Sequence, residues 1–209
     1  MNFLKIFKYF NSNSKESKEL KKITDTLATN DKIAQEMLID INNTKTKVVL
    51  DEDITNSYYV YLQDTIYISN KEKNQGIHRC CLVAHECIHS KQSKIIQTIN
   101  FVISNIELIA FIVSIIVILF NKSPVTLYIY LILCILSVFP RTYLELDAIF
   151  NSLRLSKKYL EKKLSKVNLD KLMDLYRTQI YTLLPFSFIS LFFGKIVRIL
   201  VVFIITFFI

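Results

Sequence analysis

Apolar positions are distributed unevenly along the chain. Residues 99–140 and 178–209 are nearly all apolar, whereas residues 1–98 mix apolar and charged positions. The runs 99–120 and 125–144 are each long enough to cross a bilayer, at about 1.5 Å per helical residue. Only a short polar turn separates them. This pattern predicts a transmembrane helical hairpin at 99–140 and one or two further transmembrane segments at 178–209.

The polar parts of the chain predict a small domain of mixed helices and strands. Apolar residues recur at helical spacing over 15–42, with an expected break at 29–30, and β-branched and aromatic runs at 48–50, 58–62 and 65–69 predict strands. A helix is expected from about 76 to 97, and a Lys-rich helical stretch over 141–177, broken near Asn168. The predicted fold class is a mainly α membrane protein with a small α+β cytoplasmic domain.

Charge gives these regions a predicted topology. The formal net charge is +8, with fourteen Lys/Arg in residues 1–98, nine in residues 141–180 and only Lys122 in the turn of the hairpin. Because basic loops stay on the cytoplasmic side, we expect a multi-pass cell-membrane protein of four regions. These are cytoplasmic 1–98, the transmembrane hairpin 99–140, cytoplasmic 141–177 and transmembrane 178–209. The lipid bilayer is the expected surrounding, and topology accounts for the basic residues without a nucleic-acid partner.

Composition narrows the fold and the compartment further. The chain has only two glycines and three prolines, which argues against an all-β barrel or sandwich, since those folds need many turns. Its four cysteines have no CxxC spacing, and this predicts free thiols in a reducing compartment.

The stretch "LVAHECIHS" places two of the three histidines of the chain, His85 and His89, four residues apart. On a helix they share one face, so both imidazoles can converge on one metal ion. Glu86 lies about 100° around the helix, where it can act as the base that removes a proton from the attacking water. The spacing predicts an HExxH hydrolase site, and the competing interpretation is an amphipathic helix whose histidines face water.

A zinc site with two histidines needs a third protein ligand. Glu145 in "YLELDAIF" is the candidate, because a hairpin of two spans returns the chain to the side that it left. Asp147 either orients a ligand imidazole or is an exposed helix carboxylate. His78 is expected at the surface or on the substrate side, Cys87 in a packing role, and Glu107 near the membrane interface.

Several segments resemble the neutral zinc metallopeptidases of bacterial membranes, the YugP-like proteins. The resemblance runs from about Ile23 to Arg198 and includes "DKIAQEMLIDINN", "ITNSYYVYLQDTIYIS", "VAHECIHSKQ", the hairpin and "LELDA". It implies a zincin-like fold, one zinc ion held by His85, His89 and Glu145, and Glu86 as the catalytic base. The sequence departs from the family pattern at Ile88, at Ser90 and at the N-terminus, where the usual membrane anchor is expected to be either missing or reduced to "MNFLKIFKYF".

Two functions remain open on this basis. The first is a zinc metallopeptidase that cuts peptides or membrane proteins near the cytoplasmic membrane surface, helped by the Lys-rich helix at 154–171, which would hold the site against anionic lipid. The alternative is a catalytically inactive membrane scaffold or interaction protein that keeps the metallopeptidase fold.

Overall fold

The computed structural model describes residues 15–69, 76–121 and 124–208, so the N-terminal "MNFLKIFKYF" lies outside the described residues. The elements in chain order are helices α1 (Lys15–Asp25) and α2 (Asn30–Asp40), strands β1 (Lys47–Asp51), β2 (Tyr58–Val60) and β3 (Thr65–Ser69), and helices α3 (Arg79–Lys91), α4 (Lys94–Phe120), α5 (Pro124–Glu161) and α6 (Lys166–Phe208). The expected mainly helical fold with a small sheet is confirmed.

The contacts divide the chain into two compact units. The first, here the mixed unit, comprises the described residues up to Gln92 together with Leu146–Ser187, and the second, here the apolar unit, comprises Ser93–Glu145 and the described residues from Phe188 onward. The division falls inside α5, directly after Glu145, and inside α6, directly after Ser187.

The mixed unit has a three-stranded sheet of order β1-β3-β2. Strand β3 pairs in parallel with β1 and antiparallel with β2, and four of its five residues are buried. Helices α1, α2 and α3 and the flanking parts of α5 and α6 contribute the core around it. Helix α3, which carries the HExxH sequence, lies inside this core, since ten of its thirteen residues are buried.

Two residues, Gly76 and Arg79, position the start of α3. Gly76 has φ +62°, and a Cβ there would lie 3.1 Å from Cγ of Lys21, so the position favours glycine. Arg79 is 1% exposed and donates to Oδ1 of Asn30 at 2.8 Å, to the carbonyl of Thr24 at 3.2 Å and to the carbonyl of Ala28. The guanidinium thereby joins α3 to the connection between α1 and α2.

The apolar unit contains α4 and parts of α5 and α6, and each of these helices includes a segment with the length and composition of a membrane span. Three segments do so in the described chain, Lys94–Phe120, Pro124–Glu161 and Leu184–Phe208, and an 18-residue window within each has a mean hydropathy of 2.7, 1.8 and 2.5, respectively. The predicted membrane-spanning character is confirmed to this extent. Few of their residues are buried, so most of their apolar side chains face outward, as expected for helices surrounded by lipid.

The helix boundaries differ from the expected ones in three places. The helix expected to run to about 97 ends at Lys91, because Gln92 has extended backbone angles of φ −61° and ψ 157° before α4 begins. The break expected near Asn168 lies at 162–165. Helix α6 runs through Pro185 and Gly194 without interruption, so the C-terminal apolar region forms one candidate span.

Candidate metal centre

The two motif histidines are among the few accessible residues of a buried helix. In α3 the residues outside the buried set are His85, His89 and Lys91. The Nε2 atoms of His85 and His89 lie 3.0 Å apart, and the two rings are nearly perpendicular, at 89°. Two nitrogens bound to one tetrahedral zinc ion stand about 3.3 Å apart, given Zn–N bonds of about 2.0–2.1 Å. The observed separation therefore fits a shared ion.

Glu145 completes a group of three possible ligands. One ligand atom each from His85, His89 and Glu145 lies within 4.8 Å of the others, and all three residues are half-buried. Arg141, one turn earlier on α5, forms an ion pair of 2.8 Å with Oε1 of Glu145. The ion pair places a positive charge directly beside the Glu145 carboxylate. The group can hold a metal ion, and imidazole nitrogens favour zinc or another transition metal over magnesium or calcium.

Glu86 follows His85 on α3 and contacts strand β2 of the sheet. Its side chain is buried, and Oε2 accepts a hydrogen bond of 2.9 Å from the backbone N–H of Tyr59 on β2. The Tyr59 hydroxyl donates to Oδ1 of Asp64 at 2.7 Å, and burial together with this carboxylate raises the pKa of Tyr59. The phenol therefore stays protonated and holds β2 in place beside the motif helix.

A chain of hydrogen bonds orients the His89 ring through its Nδ1 atom. Gln92 donates from Nε2 to Oδ2 of Asp147 at 2.9 Å, so its amide oxygen faces Nδ1 of His89 at 2.8 Å. An amide oxygen only accepts, so Nδ1 must carry the proton, and Nε2 keeps the lone pair that a metal needs. Asn151 in turn donates to Oδ1 of Asp147 at 2.7 Å. Asp147 thus acts on the imidazole through Gln92, not directly.

Gln92, to which the sequence alone assigns no role, nevertheless has a local sequence signal. Gln92 stands three residues after His89 within "HECIHSKQ", a spacing at which side chains meet on a helical face. Its contact with Asp147 spans 55 residues, so only the folded chain identifies it.

A cavity of about 400 Å³ adjoins this chain of hydrogen bonds. Gln92 and Asp147 form part of its wall, and three cationic side chains, Lys91, Arg154 and Lys158, also line it. Lys158 is held by the carbonyl of Asp40 at 2.8 Å. The cavity is lined by Gln92, which contacts Nδ1 of His89, and not by His89 itself.

The remaining candidate residues of the mixed unit have packing roles. Burial raises the pKa of Cys80 to about 12 and that of Cys81 to about 11, and Cys87 is fully buried against the carbonyl of Ala34. All four cysteines are free, as expected. The ring of His78 lies 5.9 Å from that of Tyr176, and burial lowers the pKa of His78 to about 4. His78 is thus a neutral packing residue and not the expected surface histidine.

Comparison of the chain with known protein families, with characterised proteins and with solved structures finds no match. The interpretation of the metal centre rests on its own residues and geometry.

Proposed function

We propose that the protein is a zinc-dependent endopeptidase of the cell membrane whose site faces the cytoplasm. The observation that carries this proposal is the convergence of the ligand atoms of His85, His89 and Glu145, with Glu86 on the same helix. Two imidazoles, one carboxylate and a glutamate base form the group that HExxH hydrolases use. The resemblance of "VAHECIHSKQ" and "LELDA" to the YugP-like metallopeptidases supports the same activity.

Each residue has a defined task in this proposal. His85, His89 and Glu145 would hold the zinc ion, which would supply Lewis acidity toward water and the peptide carbonyl. Glu86 removes a proton from the attacking water and delivers it to the leaving amine. The N–H of Tyr59 orients the Glu86 carboxylate, and Gln92 keeps His89 in the tautomer whose Nε2 binds the metal.

The substrates proposed are peptides or membrane proteins cut near the cytoplasmic membrane surface. Only Gln92 and Ser93 separate helix α3 from the candidate span α4, and Glu145 follows the apolar part of α5 directly. The ligands are thus close in sequence to two spans, which favours substrates that are themselves held at the membrane.

The test compares metal content and proteolysis in the purified full-length protein. We expect about one equivalent of zinc in the wild type and a loss of zinc in His89→Ala and Glu145→Ala. Since Glu86 acts on water, Glu86→Gln should retain zinc while proteolysis falls by about two or more orders of magnitude.

Lys91→Gln, on the same helix but outside the ligand group, serves as the control and should retain both zinc and activity. A wild-type protein without zinc would overturn the proposed function, and loss of zinc from Glu86→Gln would overturn the role of the base.

A further inference from the structure

A charged network lies among the three candidate spans of the apolar unit. Glu107 on α4 is 1% exposed, and its two carboxylate oxygens accept hydrogen bonds from Lys195 at 3.1 Å and from Arg198 at 3.1 and 2.8 Å. The Tyr130 hydroxyl on α5 donates to the same carboxylate at 2.7 Å, and Lys195 also donates to Ser137 at 2.7 Å. We call these five residues the Glu107 network.

The network lies far from the ends of its helices. Glu107 stands thirteen residues from both Lys94 and Phe120, the ends of α4 (107 − 94 and 120 − 107). At about 1.5 Å per residue this places it roughly 20 Å from either end. Lys195 and Arg198 occupy the middle of the candidate span Leu184–Phe208. In a bilayer these charges lie in the hydrocarbon interior, beyond the reach of lipid headgroups.

The charges of the network do not cancel. One carboxylate faces an ammonium and a guanidinium, so the sum −1 + 1 + 1 leaves one positive charge. The sequence offers no other acidic residue between positions 94 and 140 or between 188 and 209. An uncompensated charge in the hydrocarbon interior costs several kcal/mol, so charges retained there mark functional contacts.

Arg198 is partly exposed on a face of α6 that also carries two small residues, Ser190 and Gly194. Ser190, Gly194 and Arg198 follow one another at intervals of four and therefore share one face. Gly194 is exposed, and a Cβ there would have only Nη1 of Arg198 within 4 Å, at 3.9 Å. The side chain of Arg198 is 28% exposed, against 2% for that of Glu107. A small-xxx-small stripe lets a second helix approach closely, here directly beside a guanidinium.

We propose that this face of α6, formed by Ser190, Gly194 and Arg198, binds a transmembrane helix of another protein that carries an aspartate or glutamate in its middle. The carboxylate of the partner would compensate the surplus charge, and its backbone would pack against Gly194. This partner is either a substrate or a regulatory subunit. The inference depends on the membrane position of α6 in the proposed function, but not on zinc or proteolysis.

A second copy of the chain and a lipid are both poorer sources of the negative charge that would neutralise the Glu107 network. The only mid-span carboxylate of a second copy is its own Glu107, which is buried and already contacts two cations. Two copies facing each other at Arg198 would bring two surplus positive charges together. Lipid phosphates lie at the ends of the spans, roughly 20 Å from the network.

The experiment measures energy transfer between the labelled full-length protein in zwitterionic liposomes and a synthetic Leu/Ala transmembrane peptide with one central Glu. The reference peptide carries Gln at the same position. We expect the wild type to bind the Glu peptide about tenfold more tightly than the Gln peptide. Arg198→Gln, which leaves the neutral pair of Glu107 and Lys195, should abolish the preference, whereas Arg198→Lys should retain most of it.

A matched pair of variants tests the packing surface. Gly194→Leu should weaken the binding of both peptides, whereas Ile196→Leu, on the opposite face of α6, should leave both unchanged. Equal binding of the two peptides by the wild type would overturn the proposal, as would a preference that persists in Arg198→Gln. Self-association of labelled protein that depends on Arg198 would also overturn it, in favour of a second copy.

Discussion

Gln92 is the residue on which His89, a candidate metal ligand, depends for its tautomer. Replacing it with alanine removes the acceptor for Nδ1–H and allows the proton to move to Nε2. We expect Gln92→Ala to lower zinc affinity by about 10- to 100-fold, measured by competition with a chromophoric chelator. Asn151→Ala, which acts one hydrogen bond further away, should have a smaller effect. Unchanged affinity in Gln92→Ala would remove the orienting role assigned to this amide.

His78 makes the stability of the mixed unit sensitive to acid. Its pKa is about 4 in the folded chain, below the ordinary value of about 6.5, so the unfolded chain binds a proton first as the pH falls. The stabilising contribution is therefore complete above about pH 6.5 and is lost between about pH 6.5 and 4, with a maximum of about 3 kcal/mol.

The measurement is the free energy of unfolding as a function of pH for the wild type and for His78→Phe, which keeps a ring beside Tyr176. The variant should lose less stability between neutral and acidic pH. Identical pH slopes for the two proteins would contradict the lowered pKa.

Residues that act through local spacing were accessible from the sequence, whereas those that act across the fold were not. His85 and His89 are one helical turn apart, so the 3.6-residue period alone predicted their convergence. Nothing local pairs Gln92 with Asp147, or Glu107 with two cations 88 and 91 residues away. Glu107, expected near the interface, is instead held in mid-helix by those cations.

Among the elements, α3 shares a core with α1 and α2 and is also joined to them by one buried cation, Arg79. Arg79→Met would leave the Asn30 side chain and the carbonyls of Thr24 and Ala28 without their donor. We expect a loss of about 3 kcal/mol of unfolding free energy and a lower unfolding temperature by circular dichroism. Arg79→Lys should lie in between, because an ammonium cannot reproduce the fork of the guanidinium.

Lys32→Met, an exposed change on α2, provides the comparison and should alter stability by less than about 0.5 kcal/mol. If Arg79→Lys matched the wild type, the forked contact would not be what attaches α3.

Helices and strands that are defined by the local sequence were predicted correctly, whereas features that depend on contacts with distant residues were not. The spans were predictable because a long apolar run is a local property of the chain. The strand at 65–69 was predictable from its β-branched residues, but its central place between β1 and β2 was not. The helix end at Lys91 was missed because Gln92 leaves helical geometry while its side chain binds His89 and Asp147.

For the whole molecule, three candidate spans and the distribution of basic residues define one expected topology. If both polar parts are cytoplasmic, an odd number of spans places the end of α6 outside. Fusions of alkaline phosphatase after Asn121 and after Phe208 should therefore be active, and a fusion after Ser165 inactive, with fluorescent-protein fusions giving the reverse pattern. The same compartment for Ser165 and Phe208 would exclude a membrane-crossing α6.

The hydrogen bond between Glu86 and β2 does not depend on which side chain stands at position 59. The donor is a main-chain N–H at position 59, and nineteen of the twenty standard amino acids provide that group. The orientation of the Glu86 carboxylate is thus encoded by the path of the chain and not by residue identity. At position 59, only proline would remove this hydrogen bond directly, because it lacks the N–H. Any conservation of Tyr59 would therefore reflect the hydrogen bond of its phenol to Asp64.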